Sequence, residues 1–477
     1  MNNITLYNFL VNKNNESMQV EDENNKLSIN QLDAKAREYA DILLSLGVSK
    51  KARIALQIGH HLPFLAFFLA GILLDAVIIP LYMHIGDEKM QKLLKDLDVN
   101  YLLKEGEKDE AAEKVIKSFG ISIFCYEIRN IVQPIDKDVV LIMQTSGTTA
   151  VSKGVMLSVD NVYSNIVGIS DYLELKKQDR ILIIKNTNHI STIIGELLVG
   201  LYTGTSMVCR SDAFKLTHLN RLINTEKISV LFAVPYILRK MLSERDKCSN
   251  VLRIVNFYGG KIAPDEIREL LKHYPKTNFI YSYGQTEASP RVTYIKRKDL
   301  EKKSASSGKT IKGVSMYISD EKGKRLPPYQ EGEIIICGPN VMRGYYNNEE
   351  LTRKVIVEGK LHSGDIGYMD DEGYLYVTGR KDNMIIVAGK NIHPEEIEML
   401  VSAYSGVKEV LVCSKVYKRT VGLVMYLVET EKEIVSIKEL YIFLRDFLED
   451  YKVPREIIIV PKLEKTASGK IIRKHYE

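Results

Sequence analysis

Apolar residues follow two rhythms along this chain. Between Leu27 and about Leu300, short aliphatic and β-branched runs alternate with stretches whose apolar positions recur every three or four residues. The runs are RIALQI (53–58), DAVIIPLY (75–82), DVVLIMQT (138–145), RILIIK (180–185), ISVLFAVP (228–235) and RIVNFYG (253–259). Each reads as a buried strand, and the stretches between them read as amphipathic helices. Strands alternating with helices predict an α/β fold with largely parallel sheets, because parallel neighbours need a crossover that a helix supplies.

The texture changes at Ile311. From there to Gly379, short strands such as EGEIIICGP (331–339) and EGYLYVTGR (372–380) are punctuated by Gly and Pro with little helical period, which predicts a β-rich subdomain. Beyond Arg380 the chain restarts with NMIIVAG, PEEIEMLVSAY, KEVLVCSKV, VGLVMYLVE, IKELYIFLRDFLEDY and REIIIVP, a compact α+β alternation. The expected division lies near Asp382. Residues 1–381 form a large N-terminal domain of two α/β subdomains plus the β-rich one, and residues 382–477 form a small C-terminal domain.

Composition narrows the partners. The 477 residues suffice for roughly three domain-sized units at about 150 residues each. With 45% hydrophobic and 27% charged residues, disorder and disulfide-scaffold readings are excluded. Sixty-six Lys and Arg against 61 Asp and Glu leave +5, too dilute to argue for nucleic acid or a membrane surface, so small molecules become the expected partners. Five cysteines without a CxxC pair fit reduced thiols in the cytoplasm better than a disulfide framework or a structural metal. The opening MNNITLYNFLVNKNNES has neither a basic start with an apolar core nor a cleavage site, so no secretory signal is expected. The most apolar stretch, Leu62 to Tyr82, is broken by Pro63, Asp75 and Pro80, and reads as a buried helix followed by a strand.

Four loop segments carry candidate chemistry. Directly after the strand at 138–145 stands Thr145-Ser146-Gly147-Thr148-Thr149-Ala150-Val151-Ser152-Lys153-Gly154, whose amides, hydroxyls and single Lys suit phosphate oxygens. It is not a Walker A loop, which needs Gly immediately before the Lys and Ser or Thr after it. Tyr281-Ser282-Tyr283-Gly284-Gln285-Thr286-Glu287 gathers aromatic rings that can stack on a base and a carboxylate that can hold Mg²⁺. His362-Ser363-Gly364-Asp365 precedes Thr378-Gly379-Arg380-Lys381-Asp382, and Lys465-Thr466-Ala467-Ser468-Gly469-Lys470 lies near the C-terminus. Taken singly, each would be a polar turn.

Together and in this order, the segments resemble the adenylate-forming superfamily of acyl-CoA synthetases, aryl-CoA ligases, luciferases and nonribosomal peptide synthetase adenylation domains. Two further elements match: Gly259-Gly260-Lys261 before Pro264 resembles the family's adenine-contacting turn, and Gly389-Lys390-Asn391-Ile392-His393-Pro394-Glu395-Glu396-Ile397-Glu398 resembles its GxxIxPxEIE element. The resemblance spans nearly the whole chain. It implies ATP and Mg²⁺ as cofactors, a carboxylic acid as substrate, and CoA or a carrier-protein phosphopantetheine as acyl acceptor, with no role for nucleic acid and no membrane span.

By the same resemblance, Thr145, Ser146, Gly147, Thr148, Thr149 and Lys153 hold the triphosphate. Tyr283 stacks on adenine beside Gly259, Gly260, Lys261 and Gly284, Thr286 touches the α-phosphate, and Glu287 ligates Mg²⁺. Asp365 takes the ribose hydroxyls, which suits a pure acceptor with two oxygens, and Arg380 stands nearby. Lys470 neutralises charge as the acid attacks the α-phosphorus. The small domain then rotates about Asp382 and brings the Gly389 element to the thiol tunnel. The loop reads TSGTTAVSKG, with Ala150 and Ser152 where most members carry Gly and Pro.

Amino-acid-activating members place an Asp just after an aromatic or His that corresponds to His189; here Ile190 stands there and cannot neutralise an ammonium group. A fatty, aryl or other amine-free acid is therefore expected. His189 and Arg291, the latter four residues after Glu287, are expected to line the acid pocket, with Arg291 meeting an acceptor or anionic group. The expected activity is an AMP-forming acid:thiol ligase with CoA preferred. A stand-alone adenylation enzyme serving a carrier protein is the nearest alternative, and a nucleotide-binding regulator without chemistry is the alternative from another class.

Overall fold

The computed structural model describes all residues except 13, 14, 16, 108, 129–133, 146–152, 211–218, 244–250, 261, 388–389, 403, 418–419, 431–432, 466–470 and 477. Expected strands form at all six apolar runs: Arg53–Gln57, Val77–Pro80, Val139–Thr145, Arg180–Ile183, Val230–Ala233 and Ile254–Phe257. Three belong to an eight-stranded sheet and three to a nine-stranded sheet. In the first, Arg53–Gln57 pairs in parallel with Val77–Pro80 and Tyr101–Gly106, and Val77–Pro80 lies parallel to Val139–Thr145. In the second, Arg180–Ile183, Val230–Ala233, Ile254–Phe257 and Asn278–Tyr283 follow one another in parallel.

One apolar core runs through both sheets. The helix His61–Leu73 is buried along its length apart from Leu73, and Phe64, Phe67 and Phe68 are each at most 2% exposed. At about 1.5–3 kcal/mol for each fully buried large apolar side chain, this helix is a major contributor to the core. Tyr39 stacks on Phe67 with centroids 4.3 Å apart. The stretch is thus a buried helix and then the strand Val77–Pro80, and no helix among the described residues is long and apolar enough to cross a membrane.

The β-rich subdomain is an antiparallel sheet of Ser315–Ser319, Gly332–Cys337, Ile356–Val357, Lys360–Met369 and Leu375–Arg380. One piece of this region goes elsewhere: Gly344–Tyr345 joins the eight-stranded sheet, antiparallel to Lys153–Ser158. Two residues are too short a strand to show a period. Their position is set by Asn161, whose Nδ2 donates to the carbonyls of Pro339 (2.8 Å) and Val341 (2.7 Å). Asn161 itself closes a capping box with Ser158 at the start of the helix Val159–Leu173. The final region holds Val407–Tyr417, Thr420–Glu429 and Glu456–Ile459 in one sheet, with the helices Pro394–Ser402 and Ile437–Phe447 and an apolar core of its own.

Candidate active site

The parallel strands deliver their loops to one side. Phe257 and Tyr281 are in register, so Gly259 and Tyr283 both lie two residues further on, at the carboxyl ends of neighbouring strands. In open α/β sheets, ligands bind at these ends. Gly259 has φ +79°, in the left-handed region that favours glycine. Gly284 is required for another reason: a Cβ there would stand 1.8 Å from the carbonyl oxygen of Pro290. Gly259, Gly260 and Gly284 are all exposed.

Tyr283 donates its hydroxyl to Asp365 Oδ2, and Arg380 Nη1 donates to Asp365 Oδ1 at 2.7 Å. Asp365 and Arg380 face each other in register across the antiparallel pair Lys360–Met369 and Leu375–Arg380, which is why residues from separate motifs meet. Asp365 is 7% exposed. Burial, and then the Asp365 carboxylate, push the Tyr283 phenol well above its ordinary range, so it remains a hydrogen-bond donor. Each carboxylate oxygen has more than one acceptor site, so a ligand diol can be received beside these protein donors.

A second group forms on Tyr345. Its hydroxyl donates to Glu287 Oε1 at 2.9 Å, while the Lys153 ammonium lies 5.4 Å from its ring centroid. Glu287 sits on the short turn Thr286–Ala288 and is half-buried, and its carbonyl accepts from the Met342 amide at 3.0 Å. Burial and Glu287 together raise the Tyr345 phenol far above its usual value. A carboxylate oriented by one donor yet still reachable is the hard oxygen ligand that suits Mg²⁺, so the residues present fit that ion.

Arg291 is 3% exposed and reaches the segment expected to line the acid pocket: its Nη1 donates to Ser191 Oγ at 3.0 Å. Neighbouring Ile190 is buried in the main core. His189 is exposed and occupies the N-cap position of the short helix Ile190–Thr192 without a side-chain cap. Thr286 is half-buried at the start of its turn, and Asp382 is exposed, its carboxylate 4.0 Å from Arg380.

Ser146, Gly147, Thr148, Thr149, Lys261, Gly389 and Lys470 lie outside the described residues, as does the side chain of Thr145. Three of these segments are bracketed by antiparallel pairs: Thr145 with Lys153, Val387 with Lys390, and Lys465 with Ile471. Sequence reasoning missed Tyr345 and a group of Lys185, Glu196 and Tyr258 beside Arg291. Lys185 and Tyr258 follow closely on strands that were legible, two residues after Ile183 and one after Phe257. Nothing local marks them as partners, because Tyr258 and Glu196 are 62 residues apart.

The AMP-binding enzyme family model matches residues 10–346, and the AMP-binding enzyme C-terminal domain model matches residues 396–470. Among curated relatives, the indoleacetate–CoA ligase of Aromatoleum aromaticum is 30% identical over 471 residues, covering 93% of this chain and 91% of its own length. The 2-succinylbenzoate–CoA ligase of Bacillus subtilis is 31% identical over 390 residues, covering 81% of this chain and 74% of its own. A solved structure of the o-succinylbenzoate CoA synthetase of Bacillus subtilis in complex with the acyl-adenylate intermediate OSB-AMP superposes with a TM-score of 0.87 at 25% identity, covering 99% of this chain and 97% of that one. A double mutant of the same synthetase bound to the product analogue OSB-NCoA superposes at 0.70, again at 25% identity and with 98% of both chains covered. With both family domains matched in order along most of its length, the chain belongs to the AMP-binding enzymes of the adenylate-forming superfamily.

Proposed function

We propose that this chain is an AMP-forming acid–CoA ligase that activates an acid without an α-amino group as its acyl-adenylate and transfers the acyl group to the CoA thiol. The observation that carries this reading is the meeting, from four separated segments, of Lys153, Glu287, Asp365 and Arg380 around Tyr283 and Tyr345. A nucleotide-binding regulator would not need the Lys and Glu together.

In this reading Asp365 receives the ribose hydroxyls, Tyr283 and the Gly259–Gly260 turn lie against the adenine, and Lys153 with the 145–149 loop takes the triphosphate. Mg²⁺, held by Glu287, would supply neutralisation of phosphate charge. The substrate carboxylate attacks the α-phosphorus and pyrophosphate leaves, while Lys470 stabilises the charge that develops. Ile190, buried and apolar, offers no counter-charge to an α-ammonium group, which favours an amine-free acid.

The thiol of CoA then attacks the acyl carbon of the mixed anhydride, and AMP leaves. For this step the small domain turns about Asp382 and presents the Gly389 element. The contrast between TM-scores of 0.87 for the adenylate complex and 0.70 for the OSB-NCoA complex supports an adenylate-forming arrangement here. Curated relatives named as CoA ligases favour CoA over a carrier protein as acceptor.

The test is acid-dependent ATP–pyrophosphate exchange across fatty, aryl and amino acids, followed by CoA or a holo carrier protein with the acids that respond. Exchange with amine-free acids and thioester on CoA are expected. ATP binding without exchange for any acid would overturn the ligase reading in favour of a regulator.

A further inference from the structure

Behind the strand ends lies a buried polar cluster to which the chemistry proposed above gives no part. Lys185 Nζ meets Glu196 Oε1 at 2.5 Å and donates to the Tyr258 hydroxyl, which in turn donates to Glu196. The same ammonium lies 4.1 Å from the Tyr258 ring centroid. Glu196 is fully buried and Tyr258 nearly so. Glu196 is the one charged residue of Ile193–Leu198, a π-helical turn whose other members are buried aliphatic residues and Gly195. Such wide turns are frequent at functional sites.

The three side chains come from separate segments of the candidate site. Lys185 leads into the segment that carries His189 and Ile190, and Glu196 follows that segment, so their pair closes residues 186–195 into a loop. Tyr258 immediately precedes Gly259 and Gly260. Two further contacts fasten the loop. Arg291 donates to Ser191 Oγ at 3.0 Å and hydrogen-bonds the hydroxyls of Tyr172 and Tyr258, and the Lys185 carbonyl accepts from His61 Nε2 at 2.9 Å. A buried ion pair adds little net stability over apolar residues of similar volume, because the cost of removing its charges from water offsets their attraction. Its hydrogen bonds do fix direction, which aliphatic contacts leave free.

We propose that Lys185, Glu196 and Tyr258 are positioning residues of the adenylation step. The ion pair sets the loop that receives the acid, and the Tyr258 hydroxyl ties this loop to the turn that meets adenine, so that the acid carboxylate is held in line with the α-phosphorus. The three act through the segments they hold rather than on the substrates, and the proposal rests on the ligase reading above.

The experiment measures thermal unfolding and acid-dependent ATP–pyrophosphate exchange on the same variants, with exchange read where each is fully folded. A misplacement of about 1 Å costs roughly a hundredfold in rate. Lys185→Met combined with Glu196→Leu removes both charges of the pair together and puts apolar residues of similar volume in their place. Its melting temperature should stay close to that of wild type, while kcat for exchange falls at least about tenfold. Tyr258→Phe keeps the ion pair and the ring and removes only the tie between loop and turn. It should raise KM for ATP and for the acid together, and it decides the matter if the double variant does not fold. Wild-type kcat and KM in the folded double variant, or in Tyr258→Phe where the double variant does not fold, would make the cluster purely structural and overturn the proposal while leaving the ligase reading standing. Absence of exchange by wild type with every acid overturns both.

Discussion

Tyr345 gains its importance from what it touches. Its hydroxyl orients the Glu287 carboxylate and its ring lies beneath the Lys153 ammonium. Removing a hydrogen bond to a charged group costs about 1.5–3 kcal/mol, so Tyr345→Phe should lower adenylation roughly tenfold or more. The loss should be partly recovered at high Mg²⁺, as read by pyrophosphate exchange titrated with the metal; a rate insensitive to this change would leave Tyr345 a packing residue. Lys185 makes a prediction about pH. Burial brings its proton affinity down from 10.5 to about 8, so between those values the unfolded chain holds the proton that the native chain has lost. Stability should therefore rise with pH from about 8 toward 10.5 through this group, with the whole cost of the buried ammonium present below about 8. Lys185→Met should flatten that rise in urea midpoints measured across the window.

At the scale of elements, the helix Val159–Leu173 is the brace of the site. Its Asn161 fastens the segment that leads to Gly344–Tyr345, and its Asn165 fastens Ala288 and Arg291 through buried bonds of 3.3, 2.8 and 3.1 Å. Asn165→Leu would leave the Arg291 amide and two carbonyls with fewer partners, at about 1–3 kcal/mol for each group left unpaired. A lowered melting temperature and a raised KM for the acid, with KM for ATP little altered, are expected from thermal unfolding and steady-state kinetics. Equal changes in both KM values would show a general loosening. The strand runs were legible because a parallel strand buried on both faces reads as continuous aliphatic sequence, as Val230–Ala233 and Ile254–Phe257 do. Gly344–Tyr345 was not legible, since its partner Lys153–Ser158 lies far off in the chain.

Across the whole molecule, the helix Pro394–Ser402 rests against the β-rich subdomain. His393 lies 3.6 Å from Glu331, and Gly379 leaves no room for a side chain against His393 and Glu395. The bond to His393 is the leading cause that holds the Glu331 carboxyl below its ordinary range. These contacts must part if the small domain is to turn for thioester formation. Asp382, exposed between Arg380 and Asn383, is where we place the turning point. Fixing φ there with Asp382→Pro should preserve acid-dependent pyrophosphate exchange while slowing thioester formation at least about tenfold, because proline removes one rotatable dihedral. Parallel loss of both half-reactions would place the pivot elsewhere.

Local order along the chain was enough to read the α/β class, the β-rich insertion, the small final unit and the loops bearing Lys153, Glu287, Asp365 and Arg380. Each of these is written in neighbouring residues: an aliphatic run, a Gly-rich turn, a charge beside it. The pairing of those charges was not readable, nor was the buried company of Arg291. Tyr283 and Asp365 stand 82 residues apart, Tyr345 and Glu287 58, and Lys185 and Tyr258 73. Contacts of that span follow from sheet register and from which carbonyls an Asn can reach once the chain has closed. The buried surroundings of Arg291 likewise exist only in the packed interior, where its guanidinium carbon lies 3.6 Å from the Tyr258 ring centroid and water no longer serves its donors.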